Sequence, residues 1–208
     1  MKNNIFLKRY MQEFDAICGW IDPIFIKEFF ILNDIHKEKN IEGNILEIGS
    51  YQNKTFIPLS FLLKNNEQII GVDLFSPIQD DKNGIFINSI HRANYNLKKI
   101  YRKDIKTLNY KLIKADSKNT KSDNYLNYLD NDLKYRIIHI DACHSYEYEK
   151  NDLEQSKSII IKNGYIILDD YGNPLFPFVE LAVNDFLLEN KNFIIEKQMY
   201  NKIVIKHI

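Results

Sequence analysis

The sequence of 208 residues has little cysteine and no excess of charge. Its two cysteines, Cys18 and Cys143, cannot build the disulfide framework of a small secreted domain, which favours a reducing, cytoplasmic location. The 28 basic and 28 acidic side chains cancel, which argues against a protein that coats nucleic acid or an anionic membrane. No apolar run approaches the roughly 18 residues of a membrane span. The first residues lack the long apolar core of a signal peptide, so we expect neither feature.

What the chain does contain is typical of one globular domain, with 45% hydrophobic and 13% aromatic residues. We predict a helical segment over residues 1–40 that packs on a main domain over residues 41–208. The spacing of Phe6, Tyr10 and Phe14 matches one helix face, and Asp22 before Pro23 is a typical helix start. A dimer surface or part of a substrate pocket is an alternative role for this segment. A homodimer or higher homo-oligomer is therefore compatible with the sequence.

Apolar runs alternate with helix-like segments through the rest of the chain. The pattern predicts strands over 44–48, 68–72, 111–114, 137–140 and 165–168, helices over 56–63, 90–101, 146–162 and 178–189, and a terminal hairpin over 193–196 and 203–206. Alternating strands and helices predict an α/β domain with a mainly parallel sheet covered on both faces. Residues 76–110 are the least regular part, and both a lid and an ordinary crossover remain open.

The predicted strands end in polar residues, where ligands of open α/β sheets bind. The first strand ends in Glu47-x-Gly49 before a turn and a helix, a place where backbone N–H groups favour an anion. A dinucleotide motif would require glycine where Glu47 and Gln52 stand, which disfavours NAD and FAD. Asp73 follows the next strand and is suited to accept hydrogen bonds from ribose hydroxyls. Asp116 and Ser117 follow the third and are suited to an adenine amino group. Taken singly, each acid has an alternative role as a turn or helix cap.

A second polar group surrounds the last βαβ unit. Asp141, Asp169 and Asp170 lie at the ends of its two parallel strands, which meet at one sheet edge. Carboxylates of this kind bind hard cations such as Mg²⁺, and a bound cation lowers the pKa of a substrate hydroxyl. His144 is placed to act as general base. A solvated turn with a cap is the alternative for the acids, and a packing histidine is the alternative for His144.

Cys143 and His139 lie close to Asp141 in the sequence, but they are weaker candidates for a chemical role. Cys143 raises the possibility of a softer metal such as zinc, but we expect this side chain to point into the core. His139 lies inside a strand, and we expect it to be a core residue.

These motifs resemble those of a known family. The run 45–51 with Thr55 is similar to the first motif of class I S-adenosylmethionine-dependent methyltransferases, and the run 72–75 is similar to their ribose-binding motif. The runs 140–147 and 163–171 resemble a narrower branch, the metal-dependent O-methyltransferases that act on macrolide deoxysugars. Catechol O-methyltransferases are more distantly similar.

The resemblance implies a Rossmann-like class I methyltransferase fold with a mainly parallel seven-stranded sheet, a C-terminal antiparallel hairpin and helices on both faces. It also implies the cofactor S-adenosyl-L-methionine, and Mg²⁺ or another divalent cation. The cofactor would be bordered by Glu47, Gly49, Tyr51, Asn53, Thr55, Asp73, Asp116 and Ser117, and the cation held by Asp141, Asp169 and Asp170. The catalytic residues would be His144, which takes the proton, and Asp141. The family usually has glycine at position 53, but asparagine tolerates a left-handed backbone well.

The expected activity is O-methyl transfer to a hydroxyl of a sugar or glycosylated small molecule. A catechol-like diol is an alternative acceptor, and a non-catalytic nucleotide-binding module is an alternative function. The expected partner is a small-molecule acceptor, with no nucleic acid and no membrane.

Overall fold

The computed structural model describes residues 2–76, 78–80, 84–86, 88–118, 125–129 and 134–208. Its strands are β1 Asn44–Ile48, β2 Ile69–Asp73, β3 Ile78–Asp80, β4 Gly84–Phe86, β5 Tyr110–Lys114, β6 Tyr135–Ile140, β7 Ile160–Leu168, β8 Phe193–Met199 and β9 Lys202–His207. Seven of them form one sheet in the order β5-β2-β1-β6-β7-β9-β8. The strands from β5 to β7 are parallel, and β9 and β8 add an antiparallel hairpin at one edge. The predicted fold class is confirmed.

Helices cover both faces of this sheet. The α-helices are α1 Lys2–Glu13, α2 Pro23–Glu38, α3 Phe56–Ser60, α4 Ile90–Tyr101, α5 Tyr146–Ile159 and α6 Pro177–Glu189, with short 3-10 turns at Phe14–Ala16, Arg102–Thr107 and Tyr125–Tyr128. The Asp22 side chain caps α2 by accepting from the Ile24 amide at 2.9 Å, as the Asp-Pro pair predicted. Within the described ranges, no helix combines the length and apolar character needed to cross a bilayer.

The core consists of two apolar layers, one on each face, because successive strand residues point to opposite sides. Ile45 and Ile137 pack with residues of α1 to α4, among them Phe29 of α2. Leu46 packs on the opposite face with α5 and α6, which contribute residues such as Phe186. The sheet is thus enclosed on both sides, and the carboxyl ends of its parallel strands are left to line the site.

Several predicted boundaries were wrong, and strand β8, for example, runs on to Met199 where we predicted an end at 196. Helix α3 ends at Ser60 and not near residue 63, because the amides of Phe61 and Leu62 bond three residues back and leave α geometry. Strand β7 begins at Ile160, where we predicted the helix to continue to 162. Asn163 has a φ of 64° and forms a bulge inside the strand, where a helix stop was expected.

The segment predicted as a lid or crossover, 76–110, contains a small antiparallel hairpin, β3 with β4, followed by α4 over the predicted residues. Positions 77, 81–83 and 87 of this segment lie outside the described residues.

Candidate active site

The polar strand ends lie side by side at one edge of the sheet. The amide of Gly49 donates to Val72 of β2 at 2.8 Å, and the amide of Asp141 donates to the end of β1 at 2.9 Å. The amide of Asp169 continues the row by donating to the end of β6 at 3.0 Å. These bonds fix the residues that follow three neighbouring strands next to one another, as parallel pairing requires.

The first cavity at this edge has a volume of about 250 Å³. It is lined by nearly all of the residues predicted to border a cofactor: Glu47, Gly49, Tyr51, Thr55, Asp73, Asp116 and Ser117. Trp20, from the segment between α1 and α2, lines it as well. The strand ends therefore converge on one cavity.

Asn53, which was predicted to bind the cofactor, is not among the residues that line the first cavity. Its side chain is fully buried and donates to the carbonyl of Ala93 at 3.1 Å, so it faces α4. Its φ of 68° is the left-handed backbone that the sequence predicted at this position. Asn53 shapes the turn and does not line the site.

Gly49 is required for a reason that the sequence did not indicate. Its φ is +90°, and a Cβ atom there would lie 1.9 Å from the carbonyl oxygen of Asp141. The structure shows that this glycine allows the ends of two neighbouring strands to approach each other closely.

Asp73 holds the turn after β1 in place while it faces the first cavity. Its Oδ2 accepts from the Tyr51 amide at 2.8 Å. Its Oδ1 accepts from the Phe75 amide at 2.7 Å and from the Asn88 side chain at 2.9 Å. One carboxylate thus connects the ends of β1 and β2 and leaves further acceptor capacity on Oδ2.

Glu47 is a buried acid with an unused oxygen. Its Oε1 lies 3.2 Å from Nδ1 of His139, and its Oε2 has no hydrogen-bond partner within the described chain. Burial raises its pKa well above the ordinary value, and the charges of Asp141 and Asp73 raise it further. His139 is buried as predicted, and burial lowers its pKa well below the ordinary value, so the ring is neutral. The unused oxygen suits a ligand N–H group.

The far end of the first cavity is built on α5. The hydroxyl of Ser117 donates to Asp152 at 3.1 Å, so this side chain is held by the protein. Burial raises the pKa of Asp152 to about 7, although the Ser117 bond opposes the shift. Asp116 accepts from Tyr148 at 3.3 Å and from the Lys118 amide at 3.0 Å. Of the two residues predicted to contact adenine, Asp116 has a more accessible side chain than Ser117.

The second polar group is also assembled in the structure. Nε2 of His144 lies 3.2 Å from Asp170 and 3.9 Å from Asp141, and its Nδ1 lies 3.4 Å from the buried Glu149. Burial alone would lower the pKa of His144, but Glu149 and Asp141 raise it above the ordinary value. The pKa of Asp141 is raised to about 7 by burial and by the charge of Asp169.

Asp169 faces protein donors. Its Oδ2 contacts the ammonium of Lys202. Its Oδ1 accepts from the Asp170 amide at 2.8 Å and from the Asn201 side chain at 3.0 Å. Within the described residues, no group of three or more His, Cys, Asp or Glu side chains is arranged to hold a metal ion. The three predicted ligands lie near one another, since Asp141 and Asp170 both approach His144, but Asp169 is engaged by Lys202 and the three are not arranged to hold a metal ion as they stand.

A second cavity, of about 610 Å³, adjoins the first. Asp141, His144 and Trp20 line both cavities, and Asp169, Asp170 and Lys202 line the second. The Trp20 ring stacks on Tyr51 with centroids 5.6 Å apart. Three side chains thus lie at the boundary between the two cavities.

Sequence reasoning missed Trp20, Asn201 and Lys202 as parts of this site. Trp20 carried one weak signal, since the N-terminal segment was an alternative part of a substrate pocket. Asn201 and Lys202 lie in the terminal hairpin, and no motif marks them. Cys143 was placed wrongly: it is exposed and lines the first cavity, because the chain turns outward directly after Asp141.

Comparison with protein families gives one match, to a methyltransferase domain family over residues 46–171. The matched span runs from within β1 to just past the acids after β7, and so contains both groups of polar strand ends. Among curated proteins, none matches the sequence of this chain.

Solved structures of similar fold include O-methyltransferases. The O-methyltransferase NovP is 14% identical, with a TM-score of 0.69, and the match covers 88% of this chain and 78% of that chain. CalS11, described as a TDP-rhamnose 3'-O-methyltransferase, is 14% identical with a TM-score of 0.63 over 97% of this chain and 92% of that chain. The methyltransferase PaMTH1 of Podospora anserina, bound to S-adenosylhomocysteine, is 15% identical with a TM-score of 0.63 over 99% and 88%. At sequence identities of 14–15%, this similarity shows that the chain shares the fold of these proteins.

Proposed function

The chain belongs to the methyltransferase domain family, and we propose that it transfers the methyl group of S-adenosylmethionine to a hydroxyl of a sugar or glycosylated small molecule. One observation carries the proposal: the two cavities share Asp141, His144 and Trp20. A donor in the first cavity and an acceptor in the second would meet at a histidine and a carboxylate. Holding two reactants in that geometry is worth several kcal/mol of the barrier.

The first cavity suits the methyl donor. Oε2 of Glu47 is buried without a partner, and a bound amino group would satisfy it. Asp73 faces the same space and has acceptor capacity for a ribose hydroxyl. PaMTH1, which shares the fold, binds S-adenosylhomocysteine.

His144 is the proposed base. Its Nε2 points toward Asp141 and Asp170 at the boundary of the cavities, while Nδ1 faces Glu149, which holds the ring orientation. In the proposed step the acceptor hydroxyl passes its proton to Nε2 and its oxygen forms a bond to the methyl carbon. The sulfur–methyl bond breaks, its electron pair stays on sulfur, and the products are a methyl ether and S-adenosylhomocysteine. A neutral imidazole is required, so the base is active above its raised pKa.

We propose that a divalent cation assists this step. Asp141, Asp169 and Asp170 would hold it, because carboxylate oxygens are the donors that Mg²⁺ prefers. The chemistry of the donor set fits such an ion, since the second cavity is lined by four aspartates and one lysine, counted within the described residues. As these side chains stand, no three of the described acids and histidines are arranged to hold a metal ion, so binding would require Asp169 to leave Lys202. When bound, the cation supplies positive charge that lowers the pKa of an acceptor hydroxyl.

A sugar is the proposed acceptor because of the walls of the second cavity. The side-chain amides of Asn173 and Asn201 donate to Asp170, and their oxygens have acceptor capacity for hydroxyl groups. Trp20 and Phe176 offer apolar faces to ring carbons. CalS11 and NovP, which share the fold, are O-methyltransferases, and CalS11 acts on TDP-rhamnose.

The test is a transfer assay with methyl-labelled S-adenosylmethionine, an acceptor panel of nucleotide-activated deoxysugars, glycosides and catechols, and either Mg²⁺ or EDTA. We expect labelled methyl ether from a sugar in Mg²⁺ and loss of the product in EDTA. If only catechols become labelled, the acceptor is a catechol-like diol and not a sugar. Full turnover in EDTA would show that the reaction does not require a divalent cation. A chain that binds S-adenosylhomocysteine but methylates no acceptor in the panel would support a non-catalytic binding module.

A further inference from the structure

Lys202 is a buried cation inside the acidic cluster. It is the first residue of β9, and its side chain is 1% exposed. Leu168 pairs with Ile203 across the antiparallel strands, so the adjacent position brings Lys202 beside Asp169. Its ammonium contacts Oδ2 of Asp169 and lies 4.9 Å from the centre of the Phe25 ring. The pairing register of the hairpin therefore delivers a positive charge to the acids that follow β7.

The Lys202 ammonium offsets part of the negative charge of the surrounding acids. Among the described residues lining the second cavity, Lys202 is the one lysine or arginine. Burial and Asp169 raise the pKa of Asp141, and Lys202 counteracts that rise. The same charge counteracts the rise at Glu47 that burial and Asp141 produce. Its field thus reaches acids at the ends of β1, β6 and β7.

We infer that Lys202 competes with the divalent cation for Asp169 and thereby sets the affinity of the site for that cation. The inference rests on the proposed function, because it assigns a role toward the proposed cation. A carboxylate oxygen that contacts an ammonium must release it before a metal ion can take its place. Lysine suits such an exchange, since its ammonium is a compact charge on a flexible stem. Without that charge, the carboxylates would attract a cation more strongly.

A purely structural role predicts something different. An ion pair that only fastens the hairpin to β7 would stabilise the fold, and its loss would lower the melting temperature. Cation affinity would then stay the same or fall as the acids lose their arrangement. The competing role predicts a rise in affinity, so the direction of change separates the two.

The experiment is calorimetric titration of MnCl₂ into the wild type, Lys202→Met and Lys202→Gln. The matched control is Lys206→Met, which removes a lysine of the same strand that pairs with Glu196 at 3.3 Å. We expect Mn²⁺ to bind at least tenfold more tightly to Lys202→Met, with a smaller gain for Lys202→Gln because its amide can still donate to Asp169. We expect no change for Lys206→Met. Unchanged or weaker binding by both Lys202 variants would overturn the inference.

The titrations distinguish two ways of being wrong: that the site binds no divalent cation, and that Lys202 does not compete with a bound cation. If neither the wild type nor any variant binds Mn²⁺, the cation proposal and this inference are both wrong. If all bind it equally, the cation stands and the competition is wrong. Adding Asp141→Asn to Lys202→Met is expected to abolish the tight binding, and retention of tight binding would place the ion elsewhere and contradict the inference.

A measurement on the wild type covers the case in which the variants do not fold. Amine acetylation followed by mass spectrometry reports how far each lysine side chain is protected. We expect saturating Mn²⁺ to increase labelling of Lys202 relative to Lys206, because the displaced ammonium leaves Asp169. Equal labelling with and without Mn²⁺ would contradict the exchange.

Discussion

A Cβ atom on Gly49 would lie 1.9 Å from the carbonyl oxygen of Asp141. The turn that borders the first cavity and the first acid of the second polar group are therefore in direct backbone contact. Any side chain at position 49 must push the ends of β1 and β6 apart, and both halves of the site would move with them.

Gly49→Ala is expected to lower the free energy of unfolding by about 3 kcal/mol or more, because a steric clash adds to left-handed strain. The measurement is urea unfolding. The control is Gly172→Ala, where φ is +76° and the nearest atom to a new Cβ lies 3.8 Å away. That variant carries only the strain, about 1–2 kcal/mol. Equal losses in the two variants would show that the contact with Asp141 is not the cause.

Asp73→Asn is expected to weaken S-adenosylhomocysteine binding at least tenfold, or about 1.4 kcal/mol. Asp73 accepts from the Tyr51 and Phe75 amides, and asparagine presents a donor to one of them and to the ribose. Calorimetric titration gives the dissociation constant. Asp34→Asn on the exposed side of α2 is the control. An unchanged dissociation constant in Asp73→Asn would remove Asp73 from the cofactor site.

His144→Asn is expected to lower kcat for methyl transfer about 100-fold, the usual contribution of a general base. Binding of S-adenosylhomocysteine should stay within about threefold, because the base acts on the acceptor. His91→Ala, on an exposed turn of α4, should leave kcat unchanged. A His144→Asn variant with the full rate would show that another group takes the proton.

Asp152 makes stability depend on pH in a defined window. Burial raises its pKa from 3.8 to about 7 in the folded protein, so the folded state holds this proton while the unfolded state has lost it. The contribution of Asp152 to the free energy of unfolding therefore falls as pH rises from about 4 to about 7, and is constant outside that window. Asp152→Asn lacks this titration.

The variant should thus gain stability relative to the wild type between pH 4 and pH 8, by about 4 kcal/mol for a pKa of about 7 in place of 3.8. Melting curves of the variant and the wild type at pH 4 and at pH 8 measure this gain. Because the two proteins are compared at the same pH, the contributions of all other groups cancel. A difference between variant and wild type that is the same at pH 4 and pH 8 would contradict the raised pKa.

The fold was predictable because its signals are local. Periodicity located the strands of the sheet, and the acids at their ends pointed to the correct edge. The predicted fold class and the prediction of a methyltransferase are confirmed. Asn53 illustrates the limit of a motif: its backbone was predicted correctly, but its side chain faces α4. The start of β7 was wrong because a bulge at Asn163 looks like a helix stop in sequence.

The parts of the site that were missed depend on tertiary pairing. Lys202 reaches Asp169 only because β9 pairs with β7 in one register. Trp20 reaches the cavities because α1 and α2 pack on the sheet, which periodicity alone does not place. Neither position has a neighbour in sequence that would reveal its role. The oligomeric state and the cytoplasmic location stay predictions.

The most direct test is a crystal structure with S-adenosylhomocysteine and Mn²⁺. We predict the adenosyl group and the amino acid part in the first cavity, with the ribose on Asp73, the amino group on Glu47 and the sulfur facing the boundary formed by Asp141 and His144. We predict Mn²⁺ on Asp141, Asp169 and Asp170, with Lys202 turned away from Asp169. A ligand bound outside the first cavity, or a sulfur remote from His144, would contradict the central claim that the two cavities bring a methyl donor and a hydroxyl together.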